Sequence, residues 1–150
     1  MTRATALLML ALLAAPAVAQ TRTHLACGEY QAESWRSAAS SINWSIARGS
    51  EKNVESAALK REPRFECIEG KVLAVEFVQA NGLPFLDLYF PGGMDIGYGG
   101  QHLERNGRFV LPIQAKRRIP AAFRADFDYH CRMDMPADPL TPEMRKECAP

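Results

Sequence analysis

The chain has 150 residues with 18 Lys and Arg against 17 Asp and Glu. That near-balance excludes a general nucleic-acid binder, which needs a clear basic excess over its phosphate partners. The length suits one domain with one core, and four cysteines without a Cys-x-x-Cys pair exclude the usual zinc-site spacing.

Met1 to Ala19 carries one basic residue, Arg3, then the apolar run Ala6 to Ala15, and ends on Ala17-Val18-Ala19. This is the pattern of a signal peptide with a small-x-small cleavage site, and the apolar run is shorter than the ~20 residues a bilayer span needs. Cleavage near Ala19 predicts a periplasmic or secreted chain over 20–150 with no transmembrane segment, and with 17 basic and 17 acidic residues. In an exported chain, the even set Cys27, Cys67, Cys131 and Cys148 reads as two disulfides. Three pairings are possible. Nested bridges (27–148, 67–131) would tie the ends and staple the core, while sequential bridges (27–67, 131–148) close shorter loops.

In chain order, His24 to Cys27 allows a first strand and Ala32 to Ser41 a short helix. Ile42, Trp44 and Ile46 alternate with polar or small residues, which predicts a strand with those three side chains in the core. Glu51 to Glu62 is charged and weakly patterned, and suggests a loop or short helix ending before Pro63. Phe65 to Val78 reads as a hairpin turning at Glu69-Gly70. Asn81-Gly82 is a second turn signal. Phe85 to Phe90 forms a third strand, with Leu86, Leu88 and Phe90 on one side and Phe85 and Tyr89 flanking Asp87 on the other.

Five glycines lie between Gly92 and Gly100, inside the irregular segment Pro91 to Gly107. Its spacing is neither a dinucleotide fingerprint nor a phosphate loop. It reads as a long hairpin connection with bulges or as a binding loop, in which glycines let backbone approach a ligand. In the second reading Asp95, Tyr98, Gly99, Gly100 and His102 are the candidate partner-binding residues. Arg108 to Gln114 resumes strand pattern, and Pro112 predicts an edge or a bulge there. Phe123, Ala125, Phe127, Tyr129 and Cys131 alternate with polar residues up to Arg132, which predicts the strand on which the core is built. After Cys131, prolines 136, 139 and 142 suggest an extended tail, and Thr141-Pro142 can cap a short helix with Met144 and Cys148 on one side.

About six to eight strands with turn signals every 8–12 residues predict an all-β domain, a small antiparallel barrel or sandwich. Phe65-x-Cys67-x-x-Gly70-Lys71-x-Leu73-x-Val75-x-Phe77, with Tyr129-His130-Cys131 following, resembles the core of the periplasmic inhibitors of c-type lysozyme. The resemblance covers Arg64 to Arg132. It implies a small antiparallel β-barrel, a 67–131 bridge, and a loop that enters the lysozyme cleft through a Ser-Gly-x-x-Tyr motif. Here that place holds Gly99-Gly100-Gln101-His102-Leu103.

Chemistry-bearing residues are sparse. His24, His102 and His130 lie in no ligand motif, so no metal and no cofactor are expected. Asp126 and Asp128, about 7 Å apart on one strand face, sit among Arg124, His130 and Arg132 and read as a solvated charged face. Lys116, Arg117, Arg118 and Arg124 read likewise. No Gly-x-Ser-x-Gly occurs, and oxidised cysteines supply no thiolate. The expectation is an envelope binding module, inhibitor-like rather than an enzyme, for a protein partner such as a hydrolase or toxin. Its rivals are a hydrolase using Asp126, Asp128 or Asp95 with His102, and a structural envelope component.

Overall fold

A computed structural model describes residues 22–37, 41–100, 103–132 and 139–150. The expected leader, His102 and residues 133–138 of the expected extended tail lie outside the described residues. Three sheets make up the fold. The first is a meander of β1 (Arg22–Cys27), β2 (Tyr30–Arg36), β3 (Ile42–Arg48) and β4 (Glu51–Ala57). The second repeats the plan with β5 (Arg64–Ile68), β6 (Val72–Val78), β7 (Pro84–Phe90) and β8 (Met94–Gly99). The third joins β9 (Leu103–Arg105), β10 (Arg108–Pro112) and β11 (Asp128–His130) in the order β11-β10-β9. A short helix, α1 (Pro142–Glu147), follows. The chain is all-β and sandwich-like rather than a closed barrel.

The β5–β8 sheet is the middle layer. Side chains alternate across a strand, so its two faces have separate partners. Val72, Ala74, Leu86, Leu88, Phe90, Ile96 and Tyr98 pack against Phe109, Leu111, Ala115, Ile119 and Phe127. Leu73 and Val75 point the other way, toward Cys27, Tyr30, Ala32, Trp44 and Ile46 of the first sheet. One disulfide belongs to the second of these cores, and the other holds the C-terminal segment. Cys27–Cys67 joins β1 to β5, and Cys131–Cys148 ties the segment after β11 to the end of α1. The pairing is therefore sequential, and the 67–131 bridge implied by the resemblance is not formed.

Four expectations need correction. The helix expected over Ala32 to Ser41 is not formed in its described first half: Tyr30–Arg36 is a strand paired along its whole length with β3, since the apolar Tyr30, Ala32 and the small Ser34 alternate onto the buried face. Glu51–Ala57 is likewise a strand, paired residue for residue with β3 from Arg48↔Glu51 to Ile42↔Ala57, so tertiary pairing overrides weak local pattern. The Phe123 to Arg132 strand exists only at Asp128–His130, and Ala121–Asp126 is a 3-10 helix that follows Pro120. Within it only Phe123 packs on the core, against Phe90 at 5.6 Å. Pro112 marks neither an edge nor a bulge. It ends the central strand β10, where its missing N–H costs no ladder bond inside the strand, and a 3-10 helix (Ile113–Arg117) starts beyond it.

The Thr141 cap forms as expected: its Oγ1 accepts from the Met144 N–H at 3.3 Å, Pro142 follows, and Met144 is buried on the side of Cys148. The strands around Trp44, Phe65 to Val78 and Phe85 to Phe90 also stand where the alternation put them.

Candidate functional site

The first two sheets are stapled along one side and part along the other. β1 and β5 meet at the Cys27–Cys67 bridge, whereas β4 and β8 are the outer strands at the far side. Between them lies a cleft of about 390 Å³. The first sheet contributes Tyr30, Trp44, Ile46, Arg48, Glu51 and Asn53; the middle sheet contributes Phe77, Asp87, Tyr89, Gly93 and Asp95. Register explains this composition. Ile46↔Asn53 and Arg48↔Glu51 are directly paired on one wall, as are Tyr89↔Asp95 and Asp87↔Gly97 on the other.

Two aromatic pairs bridge the sheets across the cleft floor: Tyr30 with Tyr89 at 5.7 Å and Trp44 with Phe77 at 5.3 Å. Phe77 also stacks on Phe85 at 5.2 Å and 7°. On β8 the cleft-facing positions after Asp95 are Gly97 and Gly99. A Cβ on Gly97 would lie 2.9 Å from Asp87 Oδ1, and one on Gly99 2.7 Å from the Phe85 ring. The bare backbone there is what lets Asp87 and Phe85 lie flat against β8.

One end of the cleft is closed by a polar clasp. Arg48 Nε donates to Glu29 Oε2 at 2.8 Å, while Glu29 Oε1 accepts from the Gly92 N–H. These bonds, the Arg48 bond first, hold the Glu29 carboxyl below its ordinary range. Tyr30 O–H donates to the Phe90 carbonyl at 2.6 Å, tying the two sheets together, and burial pushes its phenol up.

The predicted site residues are divided. Asp95 and Gly99 share the cleft face. Tyr98 points the opposite way into the buried face, with its ring 5.9 Å from the Arg118 guanidinium. Gly100 follows β8 and donates its N–H to the Pro84 carbonyl at 2.6 Å. The glycine-rich segment is thus mainly a strand, fully paired with β7, rather than a free loop. Asp126 and Asp128 lie with the third sheet, where Arg108 donates to Asp128 at 3.2 Å and to the Ala125 carbonyl at 2.6 Å. The middle layer separates them from Asp95.

Sequence reasoning missed the cleft residues of the first sheet and the part played by Asp87. The signal for Asp87 was present: Phe85-x-Asp87-x-Tyr89 puts a carboxylate between two aromatics on one strand face. Among the described residues no cluster of His, Cys, Asp and Glu could hold a metal ion, and no helix is long and apolar enough to cross a membrane. Compared with known proteins, the chain matches no family model, no curated protein and no solved structure.

Proposed function

We propose that this chain is an exported, non-catalytic binding module that takes part of an envelope or extracellular protein into the cleft between its first two sheets. The cleft carries the reading. It is concave, has the size of a ligand site, and mixes aromatic walls with a few convergent polar groups. The glycine-rich segment contributes to it as a wall, through Gly93 and Asp95, rather than as a projecting tip. The leader-like N-terminus and two formed disulfides support export. A hydrolase or a toxin remains the class of partner this module would restrain.

Filling the cleft tests the reading. Asn53 is exposed at the mouth, so Asn53→Trp should block entry while leaving the circular-dichroism spectrum unchanged. Immobilised oxidised protein should retain an envelope component that the variant does not. Equal retention by both would overturn the assignment.

A further inference from the structure

The charge of the cleft is uneven. Three carboxylates line it, Glu51, Asp87 and Asp95, against one guanidinium, Arg48, which is already bonded to Glu29. Tyr89 and Phe77 are the half-buried rings among them. We infer that the cleft accepts a positively charged side chain, arginine or lysine, projecting from the partner protein. This rests on the binding-module reading and names what that site recognises.

Three observations favour this occupant. Carboxylates gathered on the walls of a concave cleft focus their field and attract a cation more strongly than the same groups scattered over open surface. The half-buried Tyr89 ring on the same wall adds attraction through its quadrupole. The chain itself supplies a precedent, because Arg48 lies at one end of the same cleft against the Gly93 backbone, beside Tyr30 and Glu51. A sugar fits less well. Sugars stack on open ring faces, whereas Tyr30 and Trp44 are only 3% and 4% exposed. An acidic ligand would meet the carboxylates.

Calorimetric titration of the oxidised full chain with hexa-arginine, hexa-lysine, hexa-glutamate and chitotriose tests this at low and moderate salt. The two basic peptides should bind, more weakly as salt rises, and the other two should not. Asp95→Asn and Asp87→Asn should each weaken basic-peptide binding by about tenfold. Glu143→Gln, an exposed charge on α1, should leave it unchanged. An equal loss from Glu143→Gln would mean general attraction to an acidic surface and overturn the inference, as would chitotriose binding without either peptide. If no peptide binds but Asn53→Trp still loses the envelope component, the cationic occupant fails and the binding module stands. If Asn53→Trp keeps that component, the module reading itself fails.

Discussion

The two faces of the middle sheet are built from the same strands and have opposite characters. One face carries Val72, Ala74, Leu86, Leu88, Phe90, Ile96 and Tyr98, all at most 5% exposed. The other starts just as apolar beside the disulfide, with Leu73 and Val75 at 0%, and changes toward β8 into Phe85, Asp87, Tyr89, Asp95 and two glycines. A period of two residues lets one strand serve a dry core and a wet cleft at once. The face that is sealed everywhere stabilises the fold. The face that is stapled at one side and opens at the other is where a partner can enter.

Adjacent residues of β7 break this comparison most sharply. Leu88 is fully buried in the sealed face, so Leu88→Ala should cost about 2–5 kcal/mol through lost burial and a residual cavity. Asp87, its neighbour, faces the cleft, and the near-isosteric Asp87→Asn should change stability by no more than about 1 kcal/mol. Urea unfolding of the oxidised proteins measures both. Similar losses from the two variants would mean that the cleft face is as structural as the core face.

The disulfides extend the comparison from side chains to covalent ties, one between the sheets that frame the cleft and one at the C-terminal helix. Cys27–Cys67 spans 40 residues and Cys131–Cys148 spans 17. Replacing either pair by serine should cost about 2–4 kcal/mol, and the longer loop should cost about 0.8 kcal/mol more on chain-entropy grounds. The functional difference is larger. Cys27–Cys67 holds together the sheets that frame the cleft, so its loss should abolish capture by the cleft. Loss of Cys131–Cys148 should free α1 and leave capture intact. Loss of capture from both variants would place the site on the whole body rather than between the first two sheets.

Legibility in the sequence followed the same division. Alternation of strongly apolar residues, as in Leu73-x-Val75-x-Phe77 and Leu86-x-Leu88-x-Phe90, located β6, which is buried on both faces, and β7, whose Leu86, Leu88 and Phe90 are buried on one. Where burial is marginal, alternation misled. Phe123 to Cys131 keeps a period of two, yet Ala121–Asp126 forms a 3-10 helix, because Ala125 offers little area to bury and Pro120 starts a turn. Conversely, Glu51–Ala57 lacks a pattern because its cleft-lining positions Glu51 and Asn53 are polar. The glycines after Pro91 read as a loop, yet Gly97 and Gly99 lie in the paired strand β8. Their meaning, a flat wall beside Asp87 and Phe85, required the register of β8 on β7, which no local signal encodes.

The smallest expected effect separates two tyrosines on opposite faces of the middle layer. Tyr98 O–H is buried in the sealed face without a hydrogen-bond partner among the described residues, whereas Tyr30 O–H donates to Phe90. Tyr98→Phe should therefore be neutral or stabilising by up to about 1 kcal/mol at neutral pH, and Tyr30→Phe should cost about 1 kcal/mol. Alkali sharpens the contrast. Burial pushes the Tyr98 phenol up to about 12, above its ordinary 10.0. Between those values the unfolded chain loses the proton first, so the folded state holds more protons and its stability falls as pH rises from 10 to 12. Tyr98→Phe should make that fall shallower without removing it, because Tyr129, also pushed to about 12 by burial, loses stability over the same window. Urea midpoints of wild type and variant across that range would show it. An unchanged slope would mean that the Tyr98 phenol meets water, and that the face sealed by the third sheet is not sealed at β8.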